Sequence, residues 1–178
     1  MKLALAASLI ILFSGICWTQ ETVVEPEFAD VFFSLDSGKL IPLERQSAST
    51  QIKTSGFLVV NGKGVMAFPG KASPVRFHGG ELVFIVRSQS AASGIDPTDL
   101  YHLRRLSVQK DQREILLTTV HVSRVGGSAT STRTDGIIPL AFSRYGGSSY
   151  KVTASALAPG EYAIGRARGQ TVFCFGID

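Results

Sequence analysis

Along most of this chain apolar and polar residues alternate with a period of two, and clusters of turn residues interrupt the alternation at short intervals. From Ser149 to Ala156, Tyr150, Val152, Ala154 and Ala156 fall on one face, with Ser149, Lys151, Thr153 and Ser155 on the other. That is the pattern of a strand with one wet face. The turn Leu157-Ala158-Pro159-Gly160-Glu161 follows. Pro159-Gly160 suits the centre of a type II turn, since proline pre-sets its φ and glycine accepts a positive one. In the next strand, Tyr162–Arg166, Tyr162 and Ile164 share a face, with Ala163 and Gly165 opposite. The last predicted strand, Gln170–Ile177, is apolar on both faces through Val172-Phe173-Cys174-Phe175, which predicts a central strand covered on both sides.

The earlier chain follows the same rule. Phe28–Leu35 is β-prone, and Asp36-Ser37-Gly38-Lys39 turns it into Leu40–Arg45, a first hairpin. Gln46–Thr50 is small and polar and is expected to be a connection. Gln51–Val60 and Lys63–Phe68 form a second predicted hairpin around Asn61-Gly62, a pair that tolerates the positive φ of a type I′ turn. Pro69–Pro74 is a loop. Val75–Phe77 and Glu81–Ser88 are β segments, the second a candidate core strand. Gln89–Thr98 is a Ser-, Ala- and Gly-containing loop. Asp99–Val108 satisfies both periods; we expect a helical turn at Pro97–Leu100, with Asp99 able to cap it, and then a strand. Lys110-Asp111-Gln112 turns into the β run Arg113–Ser123. Gly126–Gly136 is expected to be a long loop, and Ile137–Phe142, around Pro139, an edge strand or linker. Tyr145-Gly146-Gly147-Ser148 turns into the closing strands. The fold class expected is therefore all-β, an antiparallel β-sandwich, immunoglobulin-like or related, with at most one short helix outside the N-terminal segment.

Leu157-x-Pro159-Gly160-Glu161-Tyr162 resembles a closing-hairpin pattern of immunoglobulin-like domains in secreted bacterial proteins. Together with Gly38–Gln46, Ser73-Pro74-Val75-Arg76-Phe77 and Phe173-Cys174-Phe175-Gly176, it makes the chain similar to a group of uncharacterised secreted bacterial proteins. The resemblance implies a secreted β-rich protein and supplies no activity.

Met1–Gln20 departs from the pattern. Lys2 precedes an apolar run, Leu3–Ile16, of about fourteen residues, short of the roughly twenty that span a membrane. Polar residues begin at Thr19-Gln20-Glu21. This is the form of a secretory signal peptide, so we expect an exported chain, periplasmic or extracellular, with no membrane span after cleavage. Ile16 stands where a lipidated Cys17 would want Gly or Ala. Glu21–Glu27 is an acidic leader, and Phe28–Asp178 has the length of a single domain. With Cys17 removed, Cys174 is alone, so no disulfide forms within the mature chain; flanked by Phe173 and Phe175, it is expected to be buried and inert. The net charge is +4, but the basic residues are scattered, the densest pair being Arg104-Arg105. A nucleic-acid surface wants a clustered stripe with stacking aromatics, so no nucleic-acid partner is expected.

Catalytic and metal motifs are missing from the sequence. His78, His102 and His121 show no H-x-H or H-E-x-x-H spacing. Gly127-Ser128-Ala129 lacks the strand before a nucleophile elbow, and nothing local supports His121 with Asp135 or Asp99 as a base for a serine. Asp96 and Asp99 suit a turn and cap better than a glycosidase pair. Asp36, Asp96, Asp99 and Asp135 are single loop acids with no calcium-loop spacing. Gly79-Gly80, Gly126-Gly127 and Gly146-Gly147 lack the strand-loop-helix setting of a phosphate cradle and suit turns and bulges. Arg76 and Arg87 are expected to pair with buried carboxylates such as Glu44 or Glu161. No catalytic, cofactor-binding or metal residue is assigned, and no cofactor. The expectation is a non-enzymatic exported sandwich that binds an unknown protein or envelope component, or contributes to envelope structure. The alternatives are a secreted hydrolase with dispersed catalytic residues and a periplasmic chaperone-like module that captures strands.

Overall fold

The structure, a computed structural model, describes residues 23–55, 59–123, 128–132, 136–155 and 157–178. The predicted signal peptide lies outside the described residues. In chain order the strands are β1 (Phe32–Asp36), β2 (Lys39–Pro42), β3 (Glu44–Ser47), β4 (Ser49–Ser55), β5 (Val59–Pro69), β6 (Arg76–Phe77) and β7 (Leu82–Arg87), then β8 (Tyr101–Gln109), β9 (Gln112–Ser123), β10 (Ser128–Thr132) and β11 (Ile137–Ile138). The closing strands are β12 (Ala141–Tyr145), β13 (Ser149–Ala154), β14 (Gly160–Arg166) and β15 (Thr171–Ile177). A 3₁₀ turn at Gln89–Ala92 and one helical turn, α1 (Pro97–Leu100), precede β8. The fold is an antiparallel β-sandwich. One sheet runs β12-β13-β7-β1-β2, and the other β3-β15-β14-β8-β9-β5-β4.

Between the sheets lies a core filled by the faces that alternation marks. Tyr150, Val152 and Ala154 of β13 and Phe84 and Val86 of β7 meet Tyr162 and Ile164 of β14 and Phe173 and Phe175 of β15. Fully burying one such side chain contributes about 1.5–3 kcal/mol. The aromatic rings also meet: Phe175 lies tilted against Phe84 at 5.1 Å and stacked on Tyr162 at 5.6 Å, and Phe32 meets Tyr101 edge to face at 5.2 Å.

The second sheet also curls. Its terminal strands, β3 and β4, are consecutive in the chain and separated only by Ala48, whose N–H donates to Gln170 O. The sheet therefore returns to its own beginning. The curl encloses a second, smaller cluster: Phe68, Leu106, Ile115, Ala163, Val172 and Cys174, with Ala48, Met66 and Leu117 against it. This is why β15 is apolar on both faces. Phe173 and Phe175 face the sandwich, while Val172 and Cys174 face the interior of the curl.

Several expectations need correction. Asn61-Gly62 is not a turn but the interior of β5, opposite Ser55 and Thr54 on one side and His121 and Val120 on the other. Glycine serves close approach there instead: at Gly64 a Cβ would stand 2.7 Å from Thr118 Cγ2, next to a register shift between Gly64 and Val65. A bulge of that kind sharpens local bending. Gln46–Thr50 is not a connection but the bent strand pair β3–β4; its polarity reflects exposure, since β4 has a neighbour only in β5. Within Gly126–Gly136, Ser128–Thr132 pairs with β9 as β10. Asp96, rather than Asp99, caps α1, accepting from Thr98 N at 2.9 Å. Pro159-Gly160 is not the centre of a type II turn. Gly160 has φ +151° and already pairs with Ile177. The crossing from β13 to β14 is a corner, held by Tyr162 Oη donating to Ala158 O at 2.6 Å and by Arg105 Nη2 donating to Pro159 O at 2.6 Å. A tyrosine reaching back to nearby backbone is a recurrent device at sandwich corners. The Asp36–Lys39 turn is as expected, with Ser37 and Gly38 both at positive φ.

Candidate functional site

The curl has two unlike ends, and strand register decides what each holds. Glu44 on β3 stands opposite Cys174 on β15, and Phe68 on β5 opposite Arg113 on β9. Both charged groups therefore sit at one end of the interior. Arg113 is 0 % exposed. Its Nη1 and Nη2 donate to Glu44 Oε2 at 2.8 Å and Oε1 at 2.9 Å, a parallel pair of charged hydrogen bonds. Its Nε donates to Gly70 O at 3.1 Å, Nη2 also donates to Pro69 O at 3.0 Å, and Nη1 lies 3.5 Å from Glu161 Oε2. Glu161 accepts further from Ser73 N at 2.8 Å and from Arg76, which also pairs with Asp178. Gly176 makes room for this, since a Cβ there would collide with the Arg76 guanidinium.

Burial opposes charge at both main partners. It would raise the Glu44 pKa, but hydrogen bonds from Arg113, Gln46 and Ser73 outweigh it and hold the carboxyl below its usual range. Burial likewise opposes the Arg113 cation, and Glu44 overrides it, raising that pKa. With its donors and lone pairs used up inside the protein, this end is a structural plug. Cys174 lies beneath it, free and buried, its thiol pushed up to about 12 by desolvation. The expected pairing of Arg76 with Glu161 is present. Glu44 is taken by Arg113 instead. Among the described residues Arg87 pairs with no carboxylate; its Nη1 donates to the carbonyls of Pro26 and Glu27, at 3.5 and 3.1 Å.

Those carbonyls belong to the acidic leader, which is docked rather than loose. Glu25 accepts from Gly147 N at 2.7 Å, Ser148 N at 3.0 Å, Ser148 Oγ at 2.8 Å and Ser149 Oγ at 2.6 Å. Its pKa falls to about 2, with Ser149 the largest cause. So the Gly146-Gly147 turn is an anion cradle after all, and its anion is part of the chain. The N-H and hydroxyl cluster Gly147-Ser148-Ser149 was the only signal for it in the sequence.

The opposite end of the curl is open. Met66, Ile115, Leu117, Ala163 and Val172 line a cavity of about 60 Å³. His102, Arg104 and Arg166 stand at its mouth. Gly165 keeps the wall thin, because a Cβ there would meet Thr171 O at 3.0 Å. Beside it, a cleft of about 510 Å³ runs over the β14–β15 turn, bounded by Asp99, Arg166 and Arg168. His102 Nδ1 is buried and has no hydrogen-bond partner, alone in this respect among the described residues. Desolvation first, and Arg104 second, lower the His102 pKa, so the imidazole is neutral near pH 7. Arg104 makes no ion pair among the described residues, while Arg166 Nη1 lies 3.3 Å from Asp30 Oδ2. Asp30 also accepts from Tyr101 Oη at 2.5 Å.

His78 and His102 do not converge. His78 follows β6 beside Asp178, whereas His102 pairs in register with Gly165, which pairs with Val172. Those two points on β15 are separated by roughly 20 Å at about 3.3 Å per residue. His121 lies on β9 opposite Asn61 and Ala129. Asp36 accepts from Ser37 Oγ, and Asp96 from Thr98. Asp135 and Gly127 lie outside the described residues. No group of three or more His, Cys, Asp or Glu able to hold a metal occurs among the described residues, and none of the described helices is long and apolar enough to cross a membrane. Compared with family models, curated proteins and solved structures, the chain matches none.

Proposed function

We propose that this chain is an exported, non-enzymatic β-sandwich that works by binding. The supporting observation is how the charged groups are used. Arg113, Glu44, Glu161, Arg76 and Asp178 spend their hydrogen bonds on one another, as supports of the fold. Among the described residues the one buried side-chain polar atom without a hydrogen-bond partner is Nδ1 of His102, a residue that lines the cavity, and no described carboxylate or hydroxyl is bonded to it. A buried donor or acceptor without a partner costs about 1–3 kcal/mol, which a bound group can recover. An acid–base or nucleophilic machine would need a second reactive group in contact with that imidazole. The pattern of Met1–Gln20 supports export. Two measurements test this. Fusing Met1–Glu21 to a reporter active only outside the cytoplasm should give reporter activity. The purified protein should leave ester, peptide and glycoside panels unchanged; turnover that is lost in His102→Leu would sink the non-enzymatic reading.

A second reading, strand capture, draws on one observation. β2 (Lys39–Pro42) is an edge strand, and beside it Leu35, Ile41, Val75, Phe77 and Phe84 line a groove of about 360 Å³. An extended segment laid along β2 would find main-chain partners and apolar side-chain sites together. Pro42 removes one donor from that edge. Crosslinking from a photoreactive residue at Ile41 distinguishes the two: strand capture requires an extended partner peptide joined there.

A further inference from the structure

The open end of the curled sheet points to a ligand class. This rests on the binding reading above and goes one step further. Met66, Ile115, Leu117, Ala163 and Val172 supply the apolar floor of the cavity. By the measure in which one water needs about 10–15 Å³, its 60 Å³ accommodates about four or five non-hydrogen atoms. That is too little for an aromatic ring with substituents and right for a short aliphatic tail. Beyond the floor the chemistry changes abruptly. Arg104, with no counter-charge among the described residues, His102 with its unpartnered Nδ1, and Arg166 share the rim. Arg168 adds a further positive charge along the adjoining cleft, against Asp99.

We propose that this end is a binding site for small aliphatic carboxylates, the tail filling the cavity and the carboxylate accepting from Arg104 and from His102 Nδ1–H at its mouth. Each part of the ligand answers one feature. The tail covers apolar surface that the curl leaves open at this end. The carboxylate gives Arg104 a partner in a low-dielectric rim, where a charged hydrogen bond is stronger than in water. It also gives His102 Nδ1 its missing acceptor. At the other end of the same curl the protein meets the same need with its own Glu44 and Arg113. Asp30 does not fill the role, since it is turned to Tyr101 and to the outer side of Arg166.

The probe is valerate, a four-carbon tail on a carboxylate, titrated into the purified protein and followed by histidine side-chain ¹⁵N–¹H spectra. Saturable binding with Kd in roughly the millimolar range or tighter is expected, with the largest change at His102. Valeramide, the same shape without charge, and octanoate, with a tail too long for the floor, should each bind at least about tenfold more weakly. Arg104→Gln, a half-buried position that carries no core packing, should weaken valerate by at least about tenfold. Ala163→Leu should abolish binding while keeping the thermal transition, because it fills the floor. Equal affinity for valerate and valeramide, or unchanged affinity in both variants, overturns the assignment. So does the lack of any shift at about 50 mM valerate, which would leave the non-enzymatic reading standing. Consumption of valerate in the same tubes would instead remove the non-enzymatic reading and keep the site.

Discussion

The two cores of this molecule solve the same problem with different materials. The core between the sheets is dry, aromatic and redundant. Phe32, Phe84 and Tyr101 each meet two other rings and Phe175 meets three, so these side chains are supported from more than one direction. The core inside the curl is narrow, and its strands bring only one apolar residue each to a given level. Phe68 is its one ring among the described residues. One end is closed with a fully buried arginine and two carboxylates, and the other is left open as a cavity. Apolar packing is non-directional and tolerates adjustment, whereas a buried ion network works only with all its members present.

That contrast is broken most directly by deleting one member from each core. Phe84→Ala should cost about 3–5 kcal/mol, the usual range for emptying a fully buried ring site. Arg113→Met should cost about as much, 3–5 kcal/mol, although it replaces a charge with a similar volume of apolar matter, because Glu44 loses its charged partner and Glu161 is left with Arg76 alone. The sharper test is the second step. Adding Glu44→Leu to Arg113→Met should recover at least about half of the loss, since Glu161 keeps Arg76. No second substitution next to Phe84→Ala should do so, because a cavity has no charge to remove. Chemical denaturation of the four proteins decides it; two independent, additive losses in the curl would mean that the plug is not coupled.

The smaller features rank below these. Tyr162→Phe keeps the ring in the sandwich core and removes only the corner hydrogen bond to Ala158 O, so it should cost about 0.5–1.5 kcal/mol. A larger loss would mean that the corner, rather than the ring, holds β14 in register.

The first core was legible in the sequence and the second was not. Alternation at Tyr150, Val152 and Ala154, and at Tyr162 and Ile164, gave strand and face together, because a period of two needs no knowledge of the partner. The doubly apolar run Val172–Phe175 announced a second covered face without saying what covers it. What covers it depends on Asn61-Gly62 lying inside β5, paired with Ser55 and Thr54 of β4, rather than forming a turn. Local turn propensity favoured Asn-Gly, and pairing on both sides of β5 overrode it. The long-range site followed the same rule. Arg113 meets Glu44 across 69 positions of chain, and His102 lines a cavity to which four other strands contribute, so neither leaves a local spacing to detect. Asp96 and α1, in contrast, are local, and the Asp-Pro-Thr-Asp order places them within a residue or two.

Glu25 extends the comparison to a third kind of charge, half-exposed and held by neutral donors. Its folded pKa is about 2 against 4.5 for an unperturbed glutamate. A lowered folded pKa means that the carboxylate's contribution is fully present above pH 4.5 and is lost as pH falls towards 2. Solvent screening at so exposed a site discounts the effect. We therefore expect Glu25→Gln to lower the thermal midpoint by only about 2–4 °C at pH 7, the response to roughly 1 kcal/mol in a chain of this size. The gap between the two proteins should narrow below pH 4.5 and close near pH 2. Glu44 and Glu114, whose pKa values are also lowered, weaken both proteins equally over that range and cancel in the difference. Amide exchange at Gly147 and Ser148 gives the local reading, since both N–H groups donate to Glu25. Faster exchange there in Glu25→Gln, with β13 unaffected, would show a latch that opens without loosening the sandwich. A gap that persists unchanged at pH 2 would mean that the substitution acts through packing around Pro26, and the leader would then belong with the dry core rather than with the ion pairs.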